Sequence, residues 1–418
     1  MRKVLLLLTA LLQRAEGFVV VGYVPEYRFE AVDWAGVVAR TTHLLLFSLE
    51  PAENGDLKGV QNVAAVLRST SRLQQALKNA GKAAPQVMVT VGGAGRSQHF
   101  AAATGEKKVR RRLARRIVKL LEEQPTLAGV DLDWEAPRKP QEWRDLGRLA
   151  GEIRSLGSKD ASRKLLITMA YHPRSGALEA FAELKGKKSE TSFVDLFDLC
   201  HAMTYSQFDH QRHHSTAAMD LAAVEEWKDA GLPRERLTLG LPFFGVTKKG
   251  ESMSYGQIVD RDPTVKRFTA NDESTDGTYF INAKSAAKKV QFAAQQGLAG
   301  VAIWELGQDK PASDAAEGSL LRHIWEAVEE VGTPVSFWRR LLSYAVPSSE
   351  DQVYAALSAV VFVYLLVRVL ASTPPGLVVA AGLEPARKRL GVALAAQRAK
   401  EAAEKTITEE PDAAPAEG

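Results

Sequence analysis

Asp131, Asp133 and Glu135 alternate with Val130, Leu132 and Trp134 in the stretch Gly129–Glu135. On an extended strand every second side chain lies on the same face, so these three carboxyls would stand in a row. Three neighbouring carboxylates cannot all ionise cheaply, and at least one keeps its proton near neutral pH. A protonated carboxyl beside an ionised one is the pairing that general acid–base chemistry uses. A surface strand of solvated acids would read the same way. The choice between the two depends on what the rest of the chain builds around this row.

Short apolar segments recur from residue 18 onward and predict eight strands: Phe18–Val24, His43–Ser48, Gln86–Val91, Gly129–Glu135, Leu165–Tyr171, Leu199–Tyr205, Leu237–Phe243 and Gly300–Glu305. Segments of helical spacing lie between most of them, namely Gln61–Ala80, Val109–Leu121, Ala217–Ala230 and Ser285–Gln296, with Leu320–Val331 after the last. Alternating strands and helices imply a parallel sheet with helices outside. Eight such units in about 300 residues fit a (β/α)8 TIM barrel of the α/β class over residues 18–331. Active sites in such barrels sit at the C-terminal ends of the strands, which is where Glu135 falls.

Composition bounds what else the chain can be. Of its 418 residues 45% are hydrophobic and 25% charged, ordinary values for a globular protein. The net charge of +4 is too small to suggest nucleic-acid binding. Eight basic residues crowd Lys107–Lys119, which reads as the solvated face of an amphipathic helix. Cys200 is the single cysteine, so no disulfide forms within the chain, and the sequence holds no Asn-x-Ser/Thr sequon. No metal or cofactor site is expected.

Two segments suggest a membrane. Residues 1–17 have a short positive start at Arg2 and Lys3, an apolar run Val4–Leu12 and the small residues of Ala15-Glu16-Gly17, as a cleaved signal peptide would. Residues 353–371 hold Arg368 as their only charge and are long enough, at about 1.5 Å per residue, to cross a bilayer as a transmembrane helix. A juxtamembrane linker, 332–352, precedes this span and a tail, 372–418, follows it. Arg387, Lys388 and Arg389 place that tail in the cytosol, making a single-pass type I protein with its barrel lumenal or extracellular.

The ordered motifs make the chain resemble the chitinase-like glycoside hydrolases of family 18. The family signature Asp-Gly-x-Asp-x-Asp-x-Glu is similar to Ala128-Gly129-Val130-Asp131-Leu132-Asp133-Trp134-Glu135. Gly22-Tyr23, Phe47, Thr90-Val91-Gly92-Gly93, Met203-Thr204-Tyr205, Gly240–Gly245 and Gly300–Glu305 match further strand ends in order. The resemblance implies cleavage beside an N-acetylglucosamine with retention, the substrate's own acetamido oxygen serving as nucleophile, an exception to the two-carboxylate rule. It implies that Glu135 is the acid/base and that Asp133 stabilises the oxazolinium-type intermediate. It further implies that Asp131 shares a proton with Asp133 and that Tyr205 holds the acetamido oxygen. Trp304 would floor the sugar site, with Tyr23, Phe47, Gly92, Gly93 and Met203 around it. No cofactor is implied, and the partner would be a glycan containing N-acetylglucosamine.

Two positions depart from the family pattern. Ala128 replaces the first Asp of the signature, outside the carboxyl row. Ser206 follows Tyr205 where the family carries an Asp that helps bind the acetamido group, and Asp209 is a possible substitute. Ser206 keeps a second class of function open, a glycan-binding lectin on the same barrel; an endo-β-N-acetylglucosaminidase acting on N-glycans shares the first chemistry. The 246–299 segment is too short for an extra α+β module, which predicts an open groove.

Overall fold

The computed structural model describes residues 17–157, 164–173, 193–206, 214–266, 277–312 and 318–332. The chain divides into two units, Met1–Ser336 and Phe337–Gly418, and all of these residues lie in the first. The expected leader up to residue 16, most of the 332–352 linker, the apolar segment 353–371, the tail and Asp209 lie outside the described residues. Among the described residues no helix is long and apolar enough to cross a membrane.

Eight parallel strands close into a barrel: β1 (Val19–Pro25), β2 (His43–Pro51), β3 (Gln86–Gly92), β4 (Leu127–Asp133), β5 (Leu166–Tyr171), β6 (Leu199–Ala202), β7 (Leu237–Pro242) and β8 (Gly300–Trp304). Each pairs with the next in sequence, and β1 pairs with both β2 and β8, so no barrel edge is left open. All eight sequence segments are strands. Four of them stop early, β7 and β8 by one residue, β4 at Asp133 and β6 at Ala202, so Glu135 and Tyr205 stand just past the strand ends rather than on them.

Both faces of such strands are buried, which is why they read as near-continuous apolar runs. Val20, Leu44, Leu46, Val89, Leu132 and Ile303 join the layer shared with the helices. Their neighbours one position away, among them Val21, Tyr23, Leu45, Met88 and Ala302, pack inside the barrel. Thr90, Asp131, Thr168, His201 and Thr238 fall on that inner alternation. Register sets Thr90 beside Asp131, Asp131 beside Thr168, and His201 beside Thr238.

The Gln61–Ala80 segment forms two helices, Val60–Val66 and Arg72–Ala80. Ser71 makes the break, because its Oγ accepts from Gln74 N at 3.1 Å and caps the second helix. The helix Pro140–Gly157 has no counterpart among the segments read from sequence. Gly147 and Gly151 weaken its local propensity, and the burial of Trp143, Leu146, Leu149 and Ile153 supplies what propensity does not. The basic run lies on the helix Lys107–Glu123. Arg110 is buried against Glu152 at 3.2 Å, Arg116 meets Asp56 at 2.7 Å, and Lys107, Lys108 and Arg115 are exposed.

Candidate active site

A cavity of about 270 Å³ opens at the C-terminal end of the barrel. Asp133, Glu135, Tyr23, Met203, Tyr205 and Trp304 all line it. Its wall also includes His172, His201 and Ser206. Among the described residues no lysine or arginine lines it.

The carboxyl row is unequal. Asp131 is fully buried and does not line the cavity. It accepts three hydroxyl hydrogen bonds, from Thr168 at 2.7 Å, Tyr23 at 3.1 Å and Thr90 at 3.2 Å. Burial pushes its carboxyl up to about 6, with the three hydroxyls pulling the other way. Asp133 has no such support. Its Oδ1 is buried without a hydrogen-bond partner, and burial, then the charges of Glu135 and Asp131, push it well above the usual carboxylate range. The donors therefore favour a negative charge on Asp131, while Asp133 is the carboxyl with most reason to hold a proton.

Glu135 is fixed through its backbone. Its N–H donates to Ser97 Oγ at 3.0 Å, and that hydroxyl lies 3.0 Å from Gly93 O and 3.1 Å from Asp133 O. Gly93 N also donates to Asp133 O at 2.6 Å. Gly92 and Gly93 do not line the cavity. Both have φ near +100°, and a Cβ at either would collide, with Asp133 O at 2.2 Å or with the Phe47 ring at 2.1 Å. Their work is to let β3 approach the end of β4. The peptide bonds after Phe47, Glu135 and Trp304 are cis.

The aromatic residues divide in the same way. Trp304 is half-buried on the cavity floor, edge-on to Phe47 with centroids 4.6 Å apart and tilted against Tyr23 at 5.6 Å. Phe47 stands behind Trp304, off the cavity wall. Tyr205 packs edge-on against Phe244, and Gly240 on β7 leaves it room, since a Cβ there would lie 2.6 Å from the Tyr205 ring. Burial and the charges of Asp133, Glu135 and Asp131 push the Tyr205 hydroxyl well up, so it stays a proton donor.

Sequence reasoning passed over Ser97, His172 and His201. His172 Nε2 stands 3.6 Å from Glu135 Oε2. A histidine directly after a barrel strand was its available signal. His201 shares the two-residue period of Met203 and Tyr205, which places it on the inner face. Nothing in the sequence singles out Ser97. Ala128 does not line the cavity, and Ser206 does. Ser206, with φ of 58°, is the non-glycine residue in the left-handed region among the described residues, a conformation that Asp and Asn tolerate better.

Residues 19–309 match the sequence profile of the glycosyl hydrolases family 18. The chain belongs to that family. A class V chitinase of Arabidopsis thaliana is 26% identical over 227 residues, 43% of this chain and 58% of that relative, so the chain spans little more than half of that relative's length. The family 18 chitinase ChiB of Flavobacterium johnsoniae superposes with a TM-score of 0.57 at 22% identity, over 75% of this chain and 95% of that one. A family 18 chitinase of Cycas revoluta, solved in complex with (GlcNAc)3, does so with a TM-score of 0.58 at 18% identity, over 75% and 100%. At these identities the structural likeness shows the fold alone, a (β/α)8 barrel.

Proposed function

We propose that the chain is a retaining glycosidase that cleaves β-1,4-linked N-acetylglucosamine, with chitin-like polymers and oligosaccharides as its first substrate class. The observation that carries this reading is Asp133, a buried carboxyl with an unpartnered oxygen on the wall of a cavity floored by Trp304. A proton held there is free to turn toward Glu135 or toward an acetamido group. Glu135 protonates the leaving oxygen and then activates water. Asp133 supports the acetamido nitrogen as positive charge develops, Asp131 supplies the fixed negative charge beneath it, and Tyr205 donates to the acetamido oxygen. No metal or cofactor enters these steps. The Cycas enzyme's complex with (GlcNAc)3 supports a glycan of this kind. The enclosed volume, just under the ~300–1,000 Å³ of small-molecule pockets, suits one sugar ring with the remaining chain outside.

The test is release of a fluorophore from chitobiose and chitotriose conjugates by the detergent-solubilised full chain, beside its Glu135→Gln version. Turnover that the substitution abolishes is expected; equal turnover in both proteins rules Glu135 out. Ser206, lining the cavity in place of the family's Asp, favours one second reading: a lectin that binds the same glycan without cleaving it. Binding of chito-oligosaccharides by both proteins with turnover by neither would establish it. Release of N-glycans without activity on chito-oligosaccharides would move the substrate to the N-glycan core.

The apolar segment 353–371 and the basic residues after it support a single-pass type I arrangement, with the barrel lumenal or extracellular. Protease added to sealed microsomes should remove the tail and spare the barrel; digestion of the barrel reverses the orientation.

A further inference from the structure

His201 is a buried ionisable group to which the proposed reaction gives no work. It is 2% exposed and sits on the inner face of β6. Its Nδ1 lies 2.8 Å from Thr238 Oγ1 on the paired position of β7. Its Nε2 is buried without a hydrogen-bond partner and stands 3.9 Å from Asp131 Oδ1. The same Oδ1 accepts from Thr168.

The tautomer follows from electrostatics. A bare Nε2 lone pair facing a carboxylate oxygen would be repelled, whereas an N–H there points the positive end of its dipole at the charge. Nδ1 is then an acceptor, and the Thr238 hydroxyl donates to it. We propose that His201, held as the neutral Nε2–H tautomer with Thr238 donating to its Nδ1, is a positioning residue that acts through Asp131. It favours negative charge on Asp131 and so leaves the proton of the row on Asp133. The inference rests on the glycosidase reading above and deepens it.

The surroundings agree. Burial, with His43 nearby as a lesser cause, holds the His201 imidazole down at about 3, so it is neutral and its contribution is a dipole rather than an ion pair. Burial likewise holds His43 down at about 4, against the charge of Asp198. The Tyr23, Tyr205 and Cys200 groups around Asp131 are all pushed up by burial and stay protonated. That leaves Asp133 as the neighbouring carboxyl whose protonation responds to Asp131.

The experiment is the pH profile of kcat/KM for the full chain, for His201→Met and for His201→Gln. Loss of the N–H makes the Asp131 anion less favourable, so its carboxyl titrates higher. The acidic limb of the His201→Met profile should move up by about one pH unit, with activity converging on wild type toward about pH 8. The glutamine amide can present an N–H at similar reach and should keep the wild-type limb. A His201→Met profile that is unshifted, or lowered equally at every pH, overturns the proposal and leaves His201 a packing residue. Should the methionine variant not fold, nitrogen NMR of the wild-type histidines reads the tautomer directly, and an Nδ1–H His201 overturns the proposal. Absence of turnover in the wild type would instead count against the glycosidase reading, which the NMR measurement does not depend on.

Discussion

Two buried aspartates in this molecule have opposite surroundings. Asp220, on the helix Ala217–Asp229, is paired with Lys289 of the helix Ala283–Gln295 at 2.5 Å, and both side chains are almost fully enclosed. Asp131, inside the barrel, is at least as buried and is held by three hydroxyls with no cation against it. Burial raises both carboxyls, and at Asp220 the ammonium offsets it. The difference separates a charge placed for structure from one placed for chemistry. A cation beside Asp131 or Asp133 would lock both as carboxylates. Hydroxyls support a charge while leaving protons near the row able to redistribute.

The strongest way to break this contrast is to neutralise each side. Glu135→Gln should reduce turnover on the order of 10²–10⁴-fold, the general-acid contribution, with stability and sugar binding nearly unchanged. Asp133→Asn should also cost turnover and little stability, because the amide resembles the protonated carboxyl favoured there. Lys289→Met should do the reverse. It strands the Asp220 carboxylate and should destabilise the fold by about 3–5 kcal/mol, while each folded molecule turns over normally. Denaturant melts paired with active-site-normalised rates check both sides. A stable Lys289→Met protein, or a Glu135→Gln protein lost through unfolding, would erase the distinction.

The pH dependence of stability sharpens it. The Asp131 carboxyl is raised from 3.8 to about 6, so the folded state binds a proton more tightly than the unfolded chain. Its contribution is fully present below about 4 and is lost as pH rises through about 6, a change of about 3 kcal/mol. Asp309, also raised to about 6, contributes with the same sign. Asp131→Asn removes only the first term, so its stability relative to wild type should improve between about pH 4 and 7. Melts across that range check this, and a difference constant with pH would mean that Asp131 keeps an ordinary carboxylate affinity for protons.

Strand order and much of the cavity were legible in the sequence because both follow the two-residue period. That period places Asp131 and Asp133 inward, and it would have placed His201 there as well. Two features were not legible. Strand ends were read too long at Glu135 and Tyr205, since chain direction past the last ladder pair is set by loop contacts such as Ser97 holding Glu135 N. Roles within the row were also hidden. Only register shows that Thr90 and Thr168 flank Asp131 and leave Asp133 bare. Phe47, Gly92 and Gly93, expected around the sugar site, do not line the cavity: Phe47 packs against Trp304, and the two glycines bring β3 close to β4.

The smallest expected effect concerns the one cavity position that departs from the family. Ser206 has its backbone at φ of 58°, a conformation that an aspartate bears more easily than most residues. Ser206→Asp therefore should fold without added strain. It would add a third carboxyl to the cavity wall, close to Asp133, which burial and then the charges of Glu135 and Asp131 already raise. More negative charge favours a retained proton on Asp133 and offers the acetamido group another acceptor. We expect turnover on chitotriose conjugates to rise by about threefold to tenfold, roughly the worth of one hydrogen bond, with the gain largest near neutral pH. Unchanged turnover would mean that the serine is not what limits the site, and that the asymmetry between Asp131 and Asp133 is sufficient without an acid at 206.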